Sequence, residues 1–211
     1  MTSLSVGQAL AALVILPTSP FVPLAVGFFG LGTGYLIYGP QELFGYPPRG
    51  ERVDFATGVW GIWMPGFMQF FTGVYLFAGL TLFGTLHTPA LFMAALAFTA
   101  YGVHWFALGW NRTRSIDVRV NLGMAVAFTL ISILGIIVFF SVSDDPVGGL
   151  FIGLALVYMA DFVASLKPDL PGIADLAERA LGFFRIGTGF WLMYLTFAVV
   201  LNTVLNYGLP L

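Results

Sequence analysis

The stretch ALAFTAYGVHWFALGWNR, residues 95–112, decides how the chain is read. It is apolar enough to cross a bilayer as a helix, yet it carries Thr99, Tyr101 and His104, with Gly102 beside the tyrosine. Polar groups at membrane depth are costly, and those that occur there line cavities or pair with neighbours. Tyr101 and His104 are three apart and share a helix face. A tyrosine supplies an apolar ring and a hydroxyl tip, which suits a constriction that strips water and returns one hydrogen bond. Thr99 and His104 are candidates for the path beside it. His104 reads first as a histidine satisfied by a neighbour, with a pH-sensing gate as the alternative.

The rest of the chain agrees with a membrane setting. Of 211 residues, 59% are hydrophobic and 9% charged, and the mean hydropathy is +0.94. Soluble domains carry about 25% charged residues, so this chain has too few to coat a soluble surface. With no cysteine, disulfides, thiolate metal sites and cysteine nucleophiles are excluded. The net charge of −2 gives no basic patch and no nucleic-acid partner. No HExxH, Walker loop or GxSxG occurs, and His87 and His104 have no nearby carboxylate. No enzyme, metal site or cofactor is expected.

A hydrocarbon core about 30 Å thick needs about 20 apolar residues per helix. Six stretches qualify, near residues 20–39, 55–83, 90–110, 120–142, 147–166 and 180–205. The connectors carry turn formers: GPQELFGYPPRGER (39–52), DDP (144–146) and KPDLPG (167–172). The expected fold is all-α, one polytopic domain over 1–211 with six transmembrane helices and one pore per protomer. SVGQALAALVILP, within 1–19, is apolar but too short to span and lacks the basic start of a signal peptide, so it reads as an interfacial helix. Loops 1–2, 3–4 and 5–6 hold Arg49, Arg52, Arg112, Arg114, Arg119, Lys167 and Arg179, and the opposite side holds no Lys or Arg. By the positive-inside rule the arginine loops face the cytoplasm and both termini face out. The expected location is the inner, cell membrane.

Several small and polar residues sit inside the spans. Gly27, Gly30, Gly32 and Gly34 crowd the first, Gly149 and Gly153 the fifth, and Gly187 and Gly189 the sixth. They let helix backbones approach closely, or leave room for a pore. In the second span Gly66, Gln69 and Gly73 share a face, and Pro65 frees a carbonyl and bends the helix. Gln69 reads as pore lining or as an interhelical hydrogen bond. Asp161 and Arg185 lie at equal depth, roughly 8 Å inside the same ends of spans five and six. Opposite signs at one depth predict an intramembrane ion pair, with snorkelling of Arg185 as the alternative.

Four runs resemble the acetate uptake transporter family. AFTAYGVHW (97–105) is similar to its AFTSYGxFW signature, and PLAVGFFG (23–30) to its PLGLxxFG. Gly61-Ile62 followed by Gly66, Gln69, Phe71 and Gly73 follows its second helix, and Gly182 through Gly189, Tyr194, Leu195 and Leu201-Asn202 its sixth. The resemblance covers about a third of the chain. It implies a six-helix protomer in a homo-hexamer, passing small carboxylates such as acetate, and succinate, with proton coupling. It implies a constriction from an aromatic of helix one, a tyrosine of helix three and a leucine of helix five, which map onto Phe29, Tyr101 and Leu156, with Leu154 the alternative. Tyr194 and Asn202 join Gln69, Thr99 and His104 as candidate path residues. The family's Asn-Pro-Ala start is here Pro20-Phe21-Val22, and Leu76 stands where it has a glutamate.

The resulting expectation is a channel or proton-coupled carrier for small monocarboxylates. The termini-out orientation is similar to that of urea/amide channels, which makes a neutral amide such as urea the alternative substrate. A non-transporting membrane subunit of a larger complex is the third reading.

Overall fold

The structure is a computed structural model that describes residues 22–211. The interfacial helix expected within 1–19 lies outside the described residues. Helix α1 runs Leu24–Phe44. Helix α2 is one continuous rod over residues 51–82, and α3 is Ala90–Thr113. After a single 3-10 turn, Val118–Val120, α4 runs Asn121–Ser141. Helices α5 and α6 are Asp145–Ala164 and Pro171–Leu205. The described chain is all-helical. Four helices are long and apolar enough to cross a membrane: Ala90–Thr113, Val118–Ser141, Asp145–Ala164 and Pro171–Leu205.

The six rods follow the six predicted spans, with instructive differences at three prolines. Pro40 does not stop α1, which continues to Phe44 and ends on Gly45 in the left-handed conformation that glycine adopts without strain. Five residues of the predicted first loop, Pro40 to Phe44, therefore become the end of a helix. Pro171 starts α6 rather than breaking it, because the first helical position needs no N–H. At 35 residues α6 is about 52 Å long and extends beyond a bilayer core. In α2, Pro65 sits in a π-helical segment, Ile62–Phe67, that widens the helix around the proline ring.

The helices close a ring in chain order. The broadest seam joins α2 to α3; α1 packs on α6, α4 on α5 and α5 on α6, while α3 and α4 meet sparsely. Small residues set the seams. A Cβ on Gly109 would lie 2.5 Å from the Gly58 carbonyl oxygen, and one on Gly182 would lie 2.7 Å from that of Gly39. Backbones this close gain dispersion contact that lipid cannot match. Gly149 and Gly187, in contrast, face open space. The inward face of α1 carries Phe28, Leu31, Tyr35 and Tyr38, at helical spacing. Opposite stand Tyr101 and Trp105 of α3, Leu154 and Tyr158 of α5, and Leu192 of α6, all buried. Outward faces are apolar too. Trp60, Trp63, Phe67 and Phe71 form an exposed stripe on α2, as surfaces in contact with lipid or a partner must.

Candidate functional site

Two cavities enter the ring from opposite ends. The first, about 230 Å³, opens where loops 1–2, 3–4 and 5–6 lie and is polar, with Tyr38, Glu42, Arg112, Asp161 and Arg185 among its walls. The second, about 120 Å³, opens at the other end, near Thr88 and Asp144, and is apolar, walled by Phe28, Gln69, Ala97, Phe98, Tyr101, Leu154 and Leu192. Either is large enough for a solute of a few heavy atoms. A partition of aromatic rings lies between them. Tyr101 stacks on Tyr158 with centroids 5.7 Å apart and planes 7° apart. Phe128 lies against both at 5.1 Å, and Tyr35 meets Trp105 at 5.9 Å.

Hydrogen bonding fixes what the partition offers. The Ser132 hydroxyl donates to the Phe128 carbonyl at 2.6 Å, which uses its only hydrogen. The Tyr101 hydroxyl, 2.9 Å from Ser132 Oγ, must then be the donor in that contact. It presents lone pairs, not a proton, to anything else. On α2, Gln69 Nε2 donates to the Pro65 carbonyl at 3.0 Å. A carbonyl only accepts, so the amide NH2 has to face it, and Gln69 Oε1 becomes the free edge. That oxygen is buried without a partner. The free oxygen of the apolar cavity is thus an acceptor, and no side chain of its wall carries a positive charge.

The polar cavity is built differently. Arg185, 3% exposed, forms an ion pair with Glu42 through Nη1 and Oε1. Its guanidinium lies 5.7 Å from the Tyr38 ring, 5.9 Å from Trp105 and 6.0 Å from Tyr35. Arg112 stacks over the Tyr38 ring at 4.2 Å and stands 3.4 Å from Asp54. At the rim, Lys167 bonds Glu178 at 2.6 Å and Asp175 at 2.9 Å, contacts that raise the Lys167 pKa. Hydrogen bonds from Arg119 pull Asp117 down to about 2.

These positions correct several expectations. Arg185 is paired with Glu42, and among the described residues no ion pair joins it to Asp161; Asp161 borders the same cavity with its Oδ2 unpartnered. Nor does Arg185 snorkel to a surface, being buried. Phe29 points outward at 41% exposure, because the inward face of α1 runs through positions 28, 31, 35 and 38; Phe28 is the aromatic at the apolar cavity. Leu156 is 37% exposed for the same reason, and Leu154 faces the cavity. Thr99 donates to the Ala95 carbonyl and packs on the α2 seam at Gly73, away from both cavities. His104 is buried against Phe128 at 5.0 Å and Tyr158 at 5.6 Å, behind the partition, and borders an apolar groove between α3 and α4. Tyr194 and Asn202 tie down the end of the described chain, bonding Pro210 and Leu209. Tyr101 and Gln69 border the apolar cavity. Among the described residues no three His, Asp or Glu side chains gather as a metal site would need.

No family model and no curated protein sequence matches this chain. Among solved structures the bundle is similar to that of a bacterial acetate channel, SatP, with a TM-score of 0.66 over 90% of this chain and 97% of that one. The two sequences are 16% identical, so the likeness is one of fold.

Proposed function

We propose that the bundle is a membrane passage for small monocarboxylates such as acetate. One observation carries this reading: two cavities reach from opposite ends of a single six-helix ring toward a partition of aromatic rings. A solute crossing between them has to pass Tyr101, Tyr158 and Leu154, where size and desolvation select. The apolar cavity would take a methyl group against Phe28 and Leu192, with the Gln69 oxygen as its polar contact. The fold likeness to an acetate channel supports the same substrate class. The arginine-rich rim would face the cytoplasm, as the charge asymmetry of the loops favours. Assembly into a ring of copies belongs to the same proposal and is supported by the outward aromatic stripe on α2.

Uptake of labelled acetate and labelled urea by the same proteoliposomes tests the reading, at mildly acidic and mildly alkaline pH. Acetate influx above that of empty vesicles, with negligible urea flux, is the expected result. Urea flux without acetate flux refutes it.

A further inference from the structure

We infer that the apolar groove between α3 and α4 binds a neutral, membrane-dissolved alcohol, with its hydroxyl on the His104 ring and its chain running along α3 toward Leu96.

The groove exists because α3 and α4, neighbours in the ring, meet sparsely. It measures about 480 Å³, within the range of sites that take a small organic ligand. Its floor is a stripe of α3 at helical spacing: Leu96, Ala100, Val103 and Ala107. The alanines keep that floor low. Met124 and Phe128 of α4 form one wall. Phe77 of α2, edge-on to Phe92 at 5.8 Å, borders the groove as well. Val103 is 51% exposed, so the groove opens on the outside of the bundle, where lipid lies.

One group here is polar and uncommitted. The Thr99 hydroxyl is spent on the Ala95 carbonyl, to which it donates at 2.8 Å. His104 is 8% exposed and borders this groove, not the two cavities that enter the ring. Its ring is surrounded by those of Phe128, Tyr158 and Trp105, at 5.0, 5.6 and 6.1 Å. Among the described residues no hydrogen bond reaches it. It lies eight residues from Arg112, about 12 Å deeper along α3, where lipid supplies neither donor nor acceptor.

Depth and charge select the ligand. A phospholipid headgroup stays at the interface, and its hydrocarbon tails have nothing that an imidazole can bond. A carboxylate or an amine would bring an ion to this depth, and no charged side chain lines the groove. A neutral imidazole has one N–H and one bare nitrogen, and the tautomer decides which of them faces the ligand. A ketone or an ether only accepts and suits one tautomer. A hydroxyl donates and accepts, and suits both. From His104 to Leu96 the groove runs about 12 Å, the reach of a medium-length alkyl chain. Such a chain merely replaces lipid against the same apolar wall, so the hydrogen bond is what favours the alcohol over plain hydrocarbon. The site also backs onto the partition: Phe128, a wall of the groove, lies 5.1 Å from both Tyr101 and Tyr158.

The test is photolabelling of the full chain in proteoliposomes with an eight-carbon alcohol that carries an aliphatic diazirine, the adducts being mapped by peptide mass spectrometry. Adducts should concentrate within 96–107 and 124–128. Excess 1-octanol should displace them about fivefold more effectively than octane at equal membrane concentration, a ratio that corresponds to about 1 kcal/mol. His104→Phe keeps a ring of similar shape without the hydrogen bond and should make the two competitors equal. His104→Gln, which can still donate and accept, should retain the preference for octanol. Ala100→Phe fills the floor and should abolish labelling with His104 in place. Equal competition by octane and octanol in the unaltered protein overturns the inference. So does an undiminished octanol preference in His104→Phe, or labelling spread evenly over all lipid-facing helices. Should His104→Phe not purify folded, the competition in the unaltered protein decides alone.

Discussion

Replacing Glu42 by Gln removes the counter-charge of a guanidinium that is 3% exposed and ringed by Tyr35, Tyr38 and Trp105. Breaking a buried pair from one side leaves the other charge without compensation and costs about 3–5 kcal/mol. For a chain of this length each kcal/mol shifts the melting temperature by about 2–4 °C, so the loss should be roughly 6–20 °C. Glu42→Gln combined with Arg185→Met removes both charges and should melt closer to the unaltered protein than Glu42→Gln does. Asp161→Asn should cost less than Glu42→Gln, since no ion pair holds Asp161. The assay is intrinsic-fluorescence melting in one detergent for all five proteins, with Arg185→Met alone as the fifth. If Glu42→Gln melts within a degree or so of the unaltered protein, or Asp161→Asn is the more harmful, then Asp161 is the counter-ion of Arg185. Additive losses in the double variant would mean that Glu42 and Arg185 do not interact.

Other changes probe other parts of the bundle. Tyr101→Ala should open the partition and admit larger monocarboxylates, read as competition against labelled acetate uptake; unchanged selectivity in a folded variant makes Tyr101 a packing residue. Gly109→Ala pushes a methyl group to 2.5 Å from the Gly58 carbonyl oxygen and should destabilise by about 1–3 kcal/mol. Gly187→Ala, with open space around it, should be neutral or stabilising, and equal melting of the two would deny the tight α2–α3 seam. Arg114→Cys should resist an impermeant thiol reagent in intact cells while Asp145→Cys reacts; the reverse places the arginine-rich loops outside.

Much of this architecture was legible in the sequence, because a bilayer imposes a length and a polarity that few other settings do. Six apolar runs with breakers between them gave six helices, and Tyr101 and Gln69 stood out as polar groups at depth. The misses have physical causes. Glu42 was hidden by Pro40, since a proline in a glycine-flanked run reads as a helix stop, yet α1 carries on for another turn and delivers a carboxylate to Arg185. Asp161 then looked like the natural partner, being the other charge at that depth. Phe29 and Leu156 were placed by likeness of motif, which fixes position along a helix to within a residue or two but not the face. Only the buried series 28, 31, 35 and 38 reveals which way α1 is turned. Thr99, Tyr194 and Asn202 are polar for local reasons: a seam, and the folding back of residues 206–210 on α6.

The central claim, that acetate passes through the interior of this one bundle, can be tested with a single cysteine, because the chain has none of its own. Ala97 is 4% exposed and borders the apolar cavity beside Tyr101. Ala97→Cys should support labelled-acetate influx into proteoliposomes, a small thiol-reactive reagent should abolish that influx, and excess acetate should slow the reaction. Full modification of the cysteine with influx undiminished would contradict the account.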